Sequence, residues 1–290
     1  MLKLVLPKGS LEKQTYKLFE EADLPLEKEF RVYSPKIKDK RISEVKILRP
    51  QEIPKFVEEG YFDLGISGLD CIKEVDANVE ILAELPYSKV SSKPVKMVVA
   101  VPQDSQTEKP QDIKPGSRIT TEFPNLTRKY FEKLNIPVQV FYSYGATEAK
   151  VPEIMDVVVD LTETGETLKR NGLKIIGIIL ESTTKLIANK DSFNNEEKRK
   201  AILEIRTLLL GVVEARGRVL LSMNVSESML DELIKALPAM KKPTISKLYK
   251  TDYYEVTTVV DKKNVNVLIP LLKELGAEDI LEIPISKIVK

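Results

Sequence analysis

The residues best equipped for chemistry lie in one run, Asp156-Val157-Val158-Val159-Asp160-Leu161-Thr162-Glu163-Thr164-Gly165-Glu166-Thr167. The three valines read as a short buried strand with a carboxylate at each end. Asp156 and Asp160 are four apart, so on a strand they point to one face. Two acids there would be costly without a cation, hydroxyls or solvent at the strand ends. The hydroxyl-rich turn 162–167 leads into a short helix over 166–171, and Gly172 stands where a helix usually stops. A strand, such a turn and a helix start present backbone N–H groups and a partial positive charge to an anion. Thr-Gly turns also follow buried strands in α/β domains that bind no phosphate, so both readings stand at this point. No Gly-Lys-Ser or Gly-Lys-Thr follows the glycine, and the two further glycines of a dinucleotide fingerprint are missing. A magnesium-bound sugar phosphate suits the run better, with carboxylates toward ribose hydroxyls or metal and the turn around the phosphate.

Other candidates stand at similar junctions. Lys8-Gly9-Ser10 joins a strand to a helix and could hold an anion, or be a solvated lysine in an ordinary turn. Arg49 ends an apolar strand just before Pro50, where strands of α/β sheets face the ligand crevice; the alternative is a structural ion pair with Asp63. Residues 63–68 bring backbone close to a flat ligand at Gly68, or serve tight packing. Thr120 and Thr121 precede a strand-to-helix turn for which Asn125 is the expected N-cap. Gly145-Ala146-Thr147 is a small-residue turn followed by Glu148, a ligand for ribose or metal, or simply a favourable acid in a first turn.

Composition narrows the chemistry further. Charged residues are 31% of the chain and balanced, 45 basic against 44 acidic, so no basic field announces nucleic acid or membrane and small metabolites are the expected partners. There is no histidine, which removes Ser-His and Cys-His pairs, a histidine base and histidine metal ligands. Cys71, the single cysteine, supports neither a disulfide framework nor a multi-cysteine zinc site and reads as a small buried residue. Carboxylates, hydroxyls, Lys, Arg and Tyr remain. No stretch of about 20 apolar residues occurs, and the chain opens into a strand rather than a leader, so a cytoplasmic location is expected.

These side chains must be positioned by alternating strands and helices. Strands are expected over 2–6, 30–34, 45–48, 63–68 and 79–85, with a helical face at Leu11, Thr15, Leu18, Phe19 and Ala22 and a short helix ending near Gly60. That alternation implies a largely parallel, covered sheet. A polar connector at 91–94 marks a boundary, after which strands over 95–101, 118–121 and 138–142 and a helix over 125–134 build a second sheet that the opening run completes. A strand over 184–189 returns to the first lobe, so two crossings join two lobes around a hinged cleft. A long helical segment follows, with Ile202, Ile205, Leu208, Leu209, Val212 and Val213 on one side. Beyond Gly217 come strand 218–224, helix 226–237, strands 244–249 and 253–260, helix 263–275 and strand 279–284, the ferredoxin-like order βαββαβ.

Six motifs succeed one another along the chain: Leu6-Pro7-Lys8-Gly9; Ile47-Leu48-Arg49 followed by Ile53-Pro54; Asp63-Leu64-Gly65-Ile66; Arg118-Ile119-Thr120 with Pro124; Gly145-Ala146-Thr147-Glu148; and Asp160-Leu161 through Thr164-Gly165-Glu166-Thr167-Leu168 with Asn171-Gly172-Leu173. With Pro243-Thr244-Ile245 and Gly276-Ala277 in the tail, the chain resembles the ATP phosphoribosyltransferases of the long form, first enzymes of histidine biosynthesis, over nearly its full length.

The resemblance implies an α/β fold: a two-lobed, periplasmic-binding-protein-like catalytic domain, with lobe I over 1–92 and 182–212 and lobe II over 93–181, then a ferredoxin-like regulatory domain over 213–290. It implies transfer of the phosphoribosyl group of phosphoribosyl pyrophosphate to a purine ring nitrogen of ATP, with Mg2+, releasing pyrophosphate. Thr162, Glu163, Thr164, Gly165, Glu166 and Thr167 would bind the donor, and Asp160 and Glu148 would meet ribose or metal. Lys8 and Arg49 would hold pyrophosphate or ATP phosphates, and Gly9, Gly68, Thr120 and Thr121 would border ATP. Asn224, Thr244, Val259 and Asp279 would line a site for histidine as feedback inhibitor, in homo-oligomers from dimer to hexamer. The chain departs from the family pattern at Ser10, at the acidic Glu163 and Glu166 inside the phosphate loop, and at Asn224 and Asp279. The rival readings are a two-lobed small-molecule binding protein and an inactive regulatory paralogue.

Overall fold

The computed structural model describes residues 1–27, 33–87, 94–238 and 242–290. The chain forms two compact units, 1–206 and 207–290. The first opens with β1 (Leu2–Pro7), α1 (Glu12–Glu21), β2 (Leu26–Glu27), β3 (Lys36–Ile37), β4 (Ile42–Leu48), α2 (Ile53–Glu58), β5 (Leu64–Gly68), α3 (Leu69–Glu74) and β6 (Glu80–Leu85). It continues through β7 (Val95–Pro102), β8 (Arg118–Thr121), α4 (Pro124–Lys133), β9 (Gln139–Tyr142), β10 (Val157–Thr162), α5 (Glu166–Arg170) and β11 (Leu173–Ser182). It returns with β12 (Thr184–Ala188), α6 (Lys190–Asn194) and α7 (Glu196–Ala215), the helix inside which the division falls.

Two five-stranded sheets make this unit two-lobed. Lobe I has the order β4-β1-β5-β12-β6 and lobe II the order β11-β7-β10-β8-β9. In each, one strand runs against its neighbours, β12 in lobe I and β7 in lobe II, and the rest run together. Helices cover the faces, so central strands are apolar on both sides, as Leu4, Val5 and Leu6 in β1 and Val157, Val158 and Val159 in β10 show. Each such side chain, fully buried, contributes about 1.5–3 kcal/mol. Among α1 residues, the predicted face Thr15, Leu18 and Phe19 is buried.

The expected strand over 30–34 falls mostly outside the described residues, and Tyr33 and Ser34 form a bend instead. A two-residue pair, β2 with β3, lies beside it, too short for a periodic signal. β10 runs past the valines through Asp160 to Thr162, because β7 pairs with it as far as Thr162. The ten-residue β11 was not anticipated, since its alternation of buried and exposed residues is irregular where the register with β7 shifts.

Asp63, just before β5, is 5% exposed and ties distant segments together. Its carboxylate accepts from Lys3 N–H at 2.6 Å, Ser192 Oγ at 2.6 Å and Lys198 Nζ at 2.7 Å. It therefore pairs with Lys198 and not with Arg49. Burial pushes this carboxyl up, but the bonds from Lys198, Ser192 and Lys3 outweigh it and hold it below the usual range. A depressed folded pKa stabilises above the unfolded value and is lost as pH falls through the folded one. Asp63→Ala should cost about 2–3 kcal/mol at pH 7, below the usual 3–5 for a buried pair because the Lys198 side chain is 39% exposed. Urea melts at pH 7 and pH 3 check this: the deficit should shrink at the lower pH.

The second unit contains β13 (Arg218–Ser226), α8 (Leu230–Ala236), β14 (Thr244–Lys247), β15 (Tyr253–Asp261), α9 (Val265–Glu274) and β16 (Glu278–Pro284). Its antiparallel sheet has the order β14-β15-β13-β16, the ferredoxin-like arrangement. Val219, Leu221, Met223 and Val225 pack on one face with Leu233, Leu268 and Leu272. α8 begins later than expected because residues 227–229 form a 3-10 turn.

Candidate functional site

Both lobes present the carboxyl ends of their parallel strands to one cleft, the usual ligand position in open α/β sheets. On the lobe I side, Lys8 N–H donates to the Leu48 carbonyl at 2.7 Å, so Lys8 and Arg49 leave adjacent strands side by side. Arg49 is exposed, and its side chain has no hydrogen bond or ion pair among the described residues. Lys8 Nζ reaches Tyr33 Oη at 3.0 Å and lies 4.4 Å from its ring centre. Gly9 has φ +83°, and its N–H donates to Glu12 at 3.3 Å. Gly68 ends β5 buried; a Cβ there would stand 2.2 Å from Asp70 Oδ1, so packing alone requires glycine.

On the lobe II side, β10 carries Asp160 to the cleft. Burial pushes its carboxyl up to about 6; the Leu161 N–H, at 2.7 Å, opposes this, while the charges of Glu148 and Glu122 add to it. Glu148 is placed by a 3-10 turn at 147–150, entered through Ala146 in the left-handed region at φ +47°. Ser143 anchors that turn through Thr147 Oγ1 at 2.9 Å and Lys150 Nζ at 2.5 Å. The other acid of the opening pair, Asp156, is removed from this group: Arg118 takes it at 2.8 Å and holds its carboxyl below the ordinary range.

The turn after β10 is shaped by its own hydroxyls. Thr162 Oγ1 accepts from Gly165 N–H at 2.8 Å, and Thr164 Oγ1 from Glu166 N–H at 3.4 Å. Gly165 sits at φ +79° and starts α5, whose first-turn amides at Thr167 and Leu168 have no intrahelical acceptor. Glu166 is exposed and lies 4.0 Å from Arg170, so one of the two acids in this loop points outward along its own helix. Glu163 is half-buried and also has an interaction partner.

Thr120 and Thr121, expected at ATP, are 1% and 0% exposed. Thr121 Oγ1 is occupied by Phe123 N–H at 2.9 Å, and Thr120 Oγ1 is buried without a partner. Asn125 is not the cap of α4. Its N–H and that of Leu126 donate to Glu74, across the cleft, at 2.8 and 2.9 Å. A carboxylate of lobe I thus caps a helix of lobe II, and burial, against those two N–H groups, leaves Glu74 raised.

The crossings are stitched together as well. Thr184 Oγ1 donates to the Tyr87 carbonyl at 2.7 Å, Leu69 N–H to Thr183 at 3.0 Å, and Ser182 Oγ to buried Asp70 at 2.5 Å. Glu74, Glu122 and the Asp70–Ser182 pair are not among the candidates that the sequence motifs mark. Glu122 had a usable signal, an acid at the carboxyl end of a strand; the others depend on contacts over 51 to 112 positions.

In the second unit, Asn224 Nδ2 donates to Asp279 Oδ2 at 3.0 Å, and Asp279 has φ +49°. Thr244 and Val259 lie on the same outer sheet face, opposite Thr257 and Leu220. Val259 is four residues along β15 from Glu255, the partner of Asn224, or roughly 13 Å. The four residues therefore share a face without converging on one point.

Residues 49–211 match the family model described as HisG: ATP phosphoribosyltransferase, and residues 215–287 match HisG, C-terminal domain. The chain is 45% identical to an ATP phosphoribosyltransferase of Pelotomaculum thermopropionicum and 44% identical to one of Desulforudis audaxviator, over 99% of both chains in each case. Among solved structures, the ATP phosphoribosyl transferase (HisG:HisZ) complex from Thermotoga maritima has a chain that superposes with a TM-score of 0.64 at 29% identity, covering 74% of this chain and 99% of that one. With the two-lobed cleft and the ferredoxin-like tail both matched, the chain belongs to the ATP phosphoribosyltransferase family.

Proposed function

We propose that the cleft transfers the phosphoribosyl group of phosphoribosyl pyrophosphate to a ring nitrogen of ATP, giving phosphoribosyl-ATP and pyrophosphate, the first step of histidine biosynthesis. The observation that carries this is the juxtaposition of half-buried Asp160, with Glu148 close by, and the Gly165 turn at the end of the same strand. The turn suits the 5-phosphate through the Thr164 and Thr167 hydroxyls and the first-turn amides of α5; Asp160 suits the ribose hydroxyls.

As the bond from C1 to pyrophosphate breaks, its electron pair leaves with pyrophosphate and the nitrogen lone pair forms the new C1–N bond. Positive charge grows at the ribosyl centre, where nearby carboxylates stabilise it, and negative charge grows on pyrophosphate, where Lys8 and the exposed Arg49 suit it. No proton relay through imidazole is needed. Among the described residues no three acids are grouped as a metal cage. Asp160 and Glu148 instead fit a Mg2+ that arrives on the donor's phosphates and takes one or two protein carboxylates. That ion would neutralise charge on the leaving pyrophosphate.

Histidine feedback is part of the proposal, supported by the Asn224–Asp279 pair, whose carboxylate suits an amino group. So is a homo-oligomer, supported by Leu281 and Ile283, 56% and 42% exposed on the outer sheet face. A cytoplasmic setting follows from the metabolite substrates. Incubation with ATP, donor and Mg2+, with pyrophosphatase to draw the reaction forward, should produce phosphoribosyl-ATP absorbance; no product would overturn the transferase reading. Millimolar histidine should suppress that rate, and a flat response would remove the feedback assignment.

A further inference from the structure

One short helix of lobe I, α3, is tied to lobe II at both ends. It begins at the second crossing, where the Leu69 N–H donates to the Thr183 carbonyl at 3.0 Å and the carboxylate of Asp70, 5% exposed, accepts from Ser182 Oγ, a residue 1% exposed. In mid-helix, Ile72 packs into the lobe I cluster with Val5, Ile53 and Val57, while Cys71 belongs to the lobe II cluster with Met97, Val99 and Phe131. At its end, the Glu74 carboxylate accepts from the Asn125 and Leu126 N–H groups at 2.8 and 2.9 Å, and Asn125 Nδ2 donates to the Glu74 carbonyl at 3.1 Å. Asp76, just beyond the helix, pairs with Lys129 of α4 at 3.2 Å.

α4 starts at Pro124, and its N-cap position holds Phe123, buried and without a side-chain oxygen to offer the first amides. Asn125 and Leu126 are the second and third residues of that helix, whose donors an N-cap side chain ordinarily satisfies. Lobe II leaves them open and lobe I fills them, so this cap exists only while the lobes keep their present spacing. The two ends of α3 differ in how readily they part. Asp70 and Ser182 are enclosed, and separating them strands a buried carboxylate. Glu74 is half-buried and Asn125 exposed, so water takes over both partners when they separate.

The proposed donor has to meet both lobes at once, its 5-phosphate at the Gly165 turn and its pyrophosphate at Lys8 and Arg49. We propose that Glu74 is a positioning residue, the releasable latch that holds the lobes at the spacing this molecule spans, with the Asp70–Ser182 end of α3 as the fixed pivot. The part that concerns the donor rests on the transferase reading above; the latch itself does not.

Spin labels on Lys13→Cys in lobe I and Asp104→Cys in lobe II, both exposed positions, report the separation of the lobes by pulsed dipolar spectroscopy, with Cys71 buried and the labelled full chain diluted in unlabelled chain. Loss of a helix cap moves an equilibrium by roughly 2- to 30-fold. Glu74→Ala should therefore add a longer distance to the wild-type distribution, and phosphoribosyl pyrophosphate with Mg2+ should remove it. The donor's Kd, measured by calorimetry, should rise by no more than the same factor. Glu74→Gln, which keeps one acceptor oxygen, should fall between the two. A cap with a purely structural role would lower the melting temperature and leave the distance alone. A Glu74→Ala distribution identical to that of the wild type thus overturns the latch, and a longer distance with an unchanged donor Kd overturns the positioning role. Should Glu74→Ala not fold, the same two results on Glu74→Gln decide. If the wild type binds no donor and forms no phosphoribosyl-ATP, the transferase reading falls and the distances alone decide the latch.

Discussion

Asp160→Asn should lose turnover by about three orders of magnitude and yet melt at a higher temperature than the wild type at pH 7.5. Both effects have one cause. The carboxyl of Asp160 is raised to about 6 by burial and by the charges of Glu148 and Glu122, so its ionised form is disfavoured in the folded protein. The sign follows from linkage: a folded pKa above the unfolded 3.8 means that the group's stability cost is absent below about pH 4 and fully present above about pH 6. Two units correspond to about 2–3 kcal/mol. The neutral amide escapes that cost, while on the proposed mechanism the forming ribosyl cation loses a counter-charge. Thermal melts of both proteins at pH 4.5 and 7.5 should show the gap opening with pH. The wild-type rate at low substrate should rise with pH through a limb near 6. Equal melting temperatures at both pH values, or retained turnover, would separate Asp160 from the chemistry.

The second large effect is expected at Gly165. Its φ of +79° costs an alanine about 1–2 kcal/mol, and the added Cβ would lie 3.2 Å from Ile175 Cδ1. The loop would respond by turning the Gly165 N–H away from Thr162 and shifting the first amides of α5. Gly165→Ala with Thr167→Ala should therefore raise the donor's Kd by about 100-fold or more while ATP binding changes little. Titration of the double variant with donor and Mg2+ measures this. An unmoved Kd would take the 5-phosphate out of this turn.

Local signals in the sequence were enough for part of the fold. Arg118 to Thr121 was placed to the residue, and the ferredoxin-like order of the tail was legible because Pro and Gly punctuate it. The hydroxyl turn could be read because Gly165 and its threonines are neighbours in sequence. What escaped is non-local. Asn125 was expected to cap its own helix, as the residue type suggests, but Glu74 from the other lobe supplies the acceptor. Asp156 and Asp160 looked like a pair because period two puts them on one face, yet Arg118 neutralises the first and leaves the second to Glu148 and Glu122. Thr120 and Thr121 carry the right functional group, but they point to opposite faces of a sheet covered on both sides, so both are buried. Arg49 and Asp63 illustrate the remaining gap: opposite charges were matched by proximity of motif, whereas Lys198, 135 positions from Asp63, holds the aspartate.

The place of β12 between β5 and β6 bears on how the chain matures on the ribosome. β6 pairs with β12 and, among the described residues, with no other strand, so it has no partner until residues 184–188 have been made, about a hundred positions later. Every strand of lobe II, from Val95 to Ser182, is synthesised in that interval. The lobe that begins first is therefore completed last, around a finished insert, and β6 waits in the meantime as an unpaired edge, the kind of segment that chaperones shield.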